Sequence, residues 1–237
     1  MQVEAGGGPP PPSFWDILKA PWVGGTILCY GYTSALNILF DELFPLFGKA
    51  RQGTAGLGFG TQQIGLFQTV RGIFFVSYMP TINPIIQRKA GLVQCYRAGS
   101  ILAIVVFFSC PFIARLAASG AGFVWTALTA LALANVVCTG LTFLSINILV
   151  NNAADRRYVG RTQGVSTSLA AAMRCVSPTI GGAIWSAAAV LEYPLHPHLT
   201  YVCICFLALL NLRKAWQLPL AINQPIVGVD WLKTGPQ

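Results

Sequence analysis

Charge is what this 237-residue chain has least of: 9% of its residues are Asp, Glu, Lys or Arg, where a soluble domain carries about 25%. That is too little to cover a water-facing surface, so a soluble enzyme, a nucleic-acid binder and a secreted disulfide scaffold are disfavoured together. Acidic residues are scarcest, seven against fifteen basic ones, for a net charge of +8. The basic residues sit at segment ends rather than on one stripe, so the excess argues for membrane orientation and not for a polyanion ligand. The two histidines, His196 and His198, flank Pro197 with no carboxylate nearby, a poor metal site. Seven cysteines are an odd number, and Cys203-x-Cys205 has no second pair to complete a zinc frame; they read as small buried apolar side chains. Strand alternation is missing, which argues against an outer-membrane barrel. No Ser/His, Cys/His or carboxylate pair has catalytic spacing, so neither enzymatic activity nor a metal or cofactor is expected.

What the chain does have is apolar length: 54% hydrophobic residues and a mean hydropathy of +0.62. A spanning helix needs about 20 apolar residues, and six stretches qualify, at 21–47, 62–86, 92–116, 122–150, 160–190 and 198–212. The last is short and its start can slide upstream toward Tyr193. The expected fold is all-α, a polytopic bundle of six transmembrane helices over 21–214. Residues 1–20 form a Gly- and Pro-rich tail or linker, with neither the basic start nor the apolar core of a signal peptide, and 215–237 form a second tail. If the N-terminus is cytoplasmic, ten Lys and Arg fall on the inner side and three (Lys49, Arg51, Arg115) on the outer, with Arg71 and Arg174 inside spans. The positive-inside rule then puts both termini on the cytoplasmic side, in the plasma membrane or an organelle membrane.

The spans are unequal. The third and sixth are nearly pure hydrocarbon over 101–108 and 201–210, and such helices can face lipid all round. Each of the others carries a polar stripe at helical spacing. The first has Thr26, Tyr30, Ser34, Asn37 and Asp41; the second has Gln68, Arg71 and Tyr78. The fourth has Asn135, Thr139 and Thr142; the fifth has Gln163, Thr167, Arg174 and Ser177. Polar groups in lipid must be satisfied, so these faces turn toward protein or a water-filled cavity. Arg71 and Arg174 fall near the membrane midplane, and Asp41 and Glu42 near the outer end of the first span. The acidic pair admits two readings, an ion pair that locks helix ends together or a proton-responsive carboxylate set against a cavity arginine. Glu42 lies about 100° from Asp41 around the helix, so only one faces the cavity. Arg174 suits planar bidentate pairing with a carboxylate, which a lysine cannot reproduce.

Two loops on the inner side share a basic pattern, Asn83-Pro84-Ile85-Ile86-Gln87-Arg88-Lys89-Ala90-Gly91 and Asn151-Asn152 through Asp155-Arg156-Arg157 to Gly160-Arg161. The fifth span then reads Gly164-x8-Met173-x3-Ser177-Pro178-x2-Gly181-Gly182. This frame resembles the antiporter motif of the major facilitator superfamily, with Met173 and Ser177 in place of two glycines. Small residues in such a frame let helices approach, and the proline bends the span. Asn37-x3-Asp41-Glu42-x2-Pro45-Leu46 resembles helix seven of that superfamily's zinc-induced-facilitator-like drug:proton antiporters. Leu144 to Asn152, Gly160, Gly164, Ser168, Arg174, Pro178, Gly181 and Gly182 are similar to their helix-ten-to-eleven region.

The resemblance covers roughly 21–214 and implies the C-terminal half of such a transporter, helices seven to twelve. It implies lipid, a small-molecule substrate and protons as partners, no nucleic acid, and alternating access as the mechanism. Tyr30, Asn37, Asp41, Glu42, Gln68, Arg71, Asn135 and Arg174 then fall on the substrate or proton pathway, and Gly164, Pro178, Gly181 and Gly182 form the packing motif. The 87–91 loop lacks the acidic residue of the family's first-half loop motif. Helices one to six are absent, so the chain is either a truncated product or a half that works with a second six-helix half or with itself. A non-transporting membrane subunit that kept the fold is the alternative.

Overall fold

A computed structural model describes residues 12–51, 56–116, 120–191 and 195–225. Helix α1 (Phe14–Lys19) is a short amphipathic turn whose Ser13 and Asp16 form a reciprocal cap. Helix α2 (Pro21–Lys49) follows, with proline at its first position, where the missing N–H costs nothing. The segment 56–59 folds back on the end of α2, so the amides of Leu57, Gly58 and Phe59 bond the carbonyls of Phe47, Ala50 and Gly48. Helix α3 (Thr61–Thr81) ends at Ile82, and α4 (Asn83–Ala90) restarts with Pro84 in its first turn. The single span expected over 62–86 is therefore two helices, broken where Pro84 cannot donate back to α3.

Helix α5 (Leu92–Leu116) has the expected bounds. Helix α6 (Ala121–Thr139) runs through a π-helical stretch, Gly140–Leu144, into α7 (Ser145–Ala153), making one rod of 33 residues. Helix α8 (Val159–Ala188) and α9 (Leu195–Gln217) complete the set, and a 3-10 turn (Leu220–Asn223) follows. The sixth span is thus longer than the expected 198–212 at both ends. Among the described residues this is an all-α bundle of six rods, each at least 21 residues long. At 1.5 Å per residue even the shortest matches a hydrocarbon core of about 30 Å. Four rods (α2, α5, α6–α7 and α9) are also apolar enough to cross a membrane. Helices α3 and α8 fall short because of their Gln, Thr, Ser and Arg content.

Helix α2 is the hub, packed chiefly on α8 and also on α9 and α7; α5 lies against α9 and α6, and α3 leans on α6. Two apolar clusters fill the interior. One joins Leu39, Phe40, Phe44 and Phe47 of α2 to Phe107, Leu128 and Tyr201. The other joins Ile17, Val23 and Ile27 to Tyr96, Ile146, Leu149 and Ile222 at the opposite end. That second end is fastened by polar latches. Arg97 donates to the carbonyls of Ala215, Trp216 and Leu218 at distances of 2.8–3.1 Å. Asn152 donates to Ile222 O, and the Val93 amide donates to Asn223 Oδ1.

The expectation that the third and sixth spans face lipid all round is not met. Helix α5 buries Tyr96, Gly99, Ser100, Val106 and Phe107, and α9 buries Tyr201, Ile204 and Asn211. Their lipid-facing sides are narrower, carrying Ile101, Val105, Phe108, Val202, Phe206 and Leu209. The cysteines divide: Cys29, Cys95, Cys110, Cys138 and Cys205 are buried as expected, while Cys175 and Cys203 are exposed. Residues 1–11 of the N-terminal tail and 226–237 of the C-terminal tail lie outside the described residues, as do Tyr193 and Lys233.

Candidate functional site: a charged cleft between two diverging helices

Helices α2 and α3 meet face to face near the end where Phe44 stacks on Phe67 at 3.9 Å. Away from that contact they diverge, each leaning on other elements, and leave a cleft of about 500 Å³. Asn37, Asp41, Gln68, Arg71, Thr139 and Phe143 line it, with Gly72 and Phe75 beside them. Arg71 is the eleventh of the 21 residues of α3, at mid-helix. Its Nη1 donates to Asp41 Oδ1 at 2.5 Å and to Gln68 Oε1 at 3.1 Å. The guanidinium also sits 5.0 Å from the centre of the Phe40 ring, within cation–π range. The arginine is thus neutralised by one carboxylate, oriented by one amide and backed by one aromatic face. Arg71 keeps 19% of its side chain exposed and Asp41 keeps 41%, so the pair faces the cleft and is not sealed in the core.

The acidic pair separates as its 100° offset requires. Asp41 lines the cleft, while Glu42 is exposed on the adjoining face and forms no ion pair among the described residues. Asn37 lies one turn before Asp41 on the same face, and its Oδ1 accepts from Thr139 Oγ1 at 3.1 Å. Tyr30 does not reach the cleft. It is buried with its ring 5.8 Å from Phe143, whose other side lines the cleft wall. Asn135 is buried too, in a small internal cavity rather than in the cleft.

Arg174 departs most from expectation. It is the sixteenth of the 30 residues of α8, at mid-helix as predicted, yet it is exposed. Among the described residues it makes no hydrogen bond or ion pair; the carboxylate that pairs with a mid-helix arginine pairs with Arg71. The expected stripe on α8 splits. Ser177 turns inward and donates to Met173 O, while Thr167 and Arg174 turn outward. The packing frame divides likewise. A Cβ on Gly181 would lie 2.7 Å from Leu39 Cδ2, so this glycine does let α8 close on α2. A Cβ on Gly164 or Gly182 would meet nothing within 4 Å, and Pro178 is half-buried.

Sequence reading missed two polar assemblies. The fully buried Tyr96 hydroxyl lies 2.7 Å from Asn211 Oδ1, 2.9 Å from Thr33 Oγ1 and 3.1 Å from Cys29 O. Asn211 in turn donates to Ser100 Oγ. This knot ties α2, α5 and α9. The other supports the π-helical stretch. Asn83 donates to Gly140 O at 3.2 Å, Tyr78 donates to Asn83 Oδ1, and Gln87 donates to Ser145 Oγ. Gly140 is required there, because a Cβ would lie 2.6 Å from Tyr78 Cε1. A π-helical stretch withdraws backbone groups from ordinary helical pairing, and such stretches are frequent at functional sites. This one is flanked by Thr139 and contains Phe143, two walls of the cleft.

An all-helical bundle with membrane-length apolar rods and a mid-helix ion pair facing a cleft defines a multi-pass integral membrane protein. Within that class the chain resembles part of a major facilitator superfamily transporter. It is 25% identical over 171 residues to zinc induced facilitator 1 of Arabidopsis thaliana, covering 72% of this chain and 35% of that one. It is 26% identical over 172 residues to the major facilitator superfamily multidrug transporter mfsB of Aspergillus fumigatus, covering 68% and 28%. Zinc induced facilitator-like 1 of Arabidopsis thaliana is 24% identical over 172 residues, covering 73% and 34%. The chain therefore spans about a third of the length of the curated relatives it matches. No family model matches it, and no solved structure does.

Proposed function

We propose that this chain is the C-terminal six-helix half of a secondary transporter that moves a small solute against a proton gradient by alternating access. The observation that carries the reading is the cleft, in which a mid-helix arginine and a carboxylate on separate helices meet across a space open to solute. Helix packing alone does not call for a charged pair within membrane-length helices, where each ion is costly. A volume of about 500 Å³ suits a drug-sized molecule. Phe75 and Phe143 offer aromatic faces, Asn37 and Gln68 offer amide hydrogen bonds, and the ion pair offers either charge when it opens. Such a lining favours an amphipathic organic molecule, an organic acid or a metal chelate. Protonation of Asp41 would release Arg71, and this charge step would couple protons to the relative position of α2 and α3.

Transport needs a second half in this reading, since substrate sites of these folds lie between structural repeats. The exposed Thr167–Arg174 face of α8 and the exposed face of α3, which carries Thr69 and Ser77 beside Leu66, Ile73 and Val76, are where that half would sit, with both termini cytoplasmic. Co-reconstitution with the first half of a relative, loaded with a pH gradient and challenged with the three solute classes in turn, tests the function. One class should dissipate the gradient, and Asp41→Asn should abolish that dissipation at equal membrane levels. Dissipation by none, or undiminished dissipation in Asp41→Asn, would reject the coupling.

A further inference from the structure

Behind the cleft lies a small cavity of about 20 Å³, walled by α2, α5, α6, the π-helical stretch and α9. Its polar lining is Thr33, Asn37, Asn135, Thr142 and Asn211. Asn135 is only 4% exposed, and its Oδ1 finds no hydrogen-bond partner among the described protein groups. Buried side-chain oxygens are nearly always paired, to protein or to ordered water. A cavity holds a water once it offers about 10–15 Å³ and two to four polar partners. This one meets both conditions for a single molecule.

We propose that the cavity binds one ordered water, which donates to Asn135 Oδ1 and accepts from the amides of Asn37 and Asn211. The donor count supports that arrangement. Asn37 spends its Oδ1 on Thr139 and keeps its amide protons. Asn211 spends its Oδ1 on Tyr96 and one amide proton on Ser100, which leaves the other. The position also has a consequence. Asn37 lines both the cleft and the cavity, while Thr33 and Asn211 line the cavity and belong to the Tyr96 knot. A water here closes a continuous hydrogen-bonded path from the cleft wall to the buried tyrosine, across four helices. It fixes α2 against α6 and α9 whether or not the chain transports.

The sign of one substitution tests the site. If the cavity is dry, Asn135→Leu removes an orphan acceptor and leaves the melting temperature of the purified chain in detergent unchanged or raised. With the water in place, leucine expels it and strands the Asn37 and Asn211 amide protons. A fall of about 2–4 °C is then expected. X-ray hydroxyl-radical footprinting of the unaltered chain gives a second measure that needs no variant. Radicals form where water resides, so the buried Phe107 and Cys138, which line the cavity, should be oxidised. Absence of label on both at doses that oxidise the exposed Trp15, or an unchanged or raised melting temperature for Asn135→Leu, would overturn the proposal.

Discussion

Asp41 and Arg71 show how one residue decides the fate of another in a medium that solvates neither. An arginine at mid-helix depth costs about 2.5–3.5 kcal/mol on insertion scales if left without a counter-charge. Asp41→Asn leaves Arg71 in that position. Because both side chains are partly exposed to the cleft, we expect a loss of about 1–3 kcal/mol. Arg71→Gln in the same background should recover part of it. A double-mutant cycle on thermal unfolding in detergent checks this, and strictly additive losses would mean that the pair does not interact. Tyr96→Phe keeps the ring and deletes the hydroxyl that serves Asn211 and Thr33. A loss of about 1–2 kcal/mol is expected, with no effect on membrane insertion. An unchanged unfolding midpoint would remove the knot from the list of stabilising contacts. Arg71 and Asp41 were legible in the sequence because charges in apolar runs stand out at once. The Tyr96 knot was not, because Tyr96 and Ser100 on α5 and Asn211 on α9 are too few in otherwise apolar spans to mark a polar stripe. Their meaning comes only from the packing that joins them.

At the scale of elements, the reading succeeded where apolar length and breakers agree and failed where a helix changes its internal phase. Helix α5 matches its expected bounds because Gly91 and the small, Gly-containing sequence after Leu116 punctuate a largely apolar run. The π-helical stretch could not be read, since Gly140–Leu144 has ordinary helical composition and its support arrives from Asn83 on another element. The antiporter-like frame was legible as a pattern but only in part as contacts: Gly181 lets α8 close on Leu39, whereas a Cβ on Gly164 or Gly182 would meet nothing within 4 Å. Close approach occurs instead at Gly99, where a Cβ would lie 2.8 Å from Thr142 Cγ2 and 3.1 Å from Thr142 N. Gly99→Ala should therefore cost about 1–3 kcal/mol by overpacking α5 against the π-helical stretch, whereas Gly164→Ala should be neutral in the isolated chain. Unfolding midpoints for the two variants measured side by side check the contrast. Equal effects would show that the close packing at Gly99 is not limiting.

Over the whole molecule, Lys49 and Arg115 lie at helix ends on one side of the bundle, while Lys19, Arg88, Lys89, Arg97, Arg213 and Lys214 lie at or near helix ends on the other, where Arg97 latches α5 to the end of α9 and Asn152 latches α7 to the 3-10 turn. With that end cytoplasmic, single cysteines at positions 88 and 156 in a cysteine-free background should resist an impermeant reagent added from outside, while position 51 should react. The reverse pattern would invert the topology. Unequal completion of the helices is the larger feature. Helix α2 is satisfied on most sides, whereas α3 and α8 leave mixed faces exposed, with Leu66, Ile73, Val76, Val176 and Ile180 beside their polar groups, and Arg174 stands at mid-helix with no partner among the described residues. In the half-transporter reading proposed above, association with a second bundle would remove this exposure. The most direct measurement is proton-coupled flux in liposomes for the 237-residue chain alone and together with a first six-helix half, with the mass of the reconstituted species determined in detergent. The lone monomer is expected to be inert and the paired chain active. Flux from a demonstrated monomer would contradict the half-transporter reading.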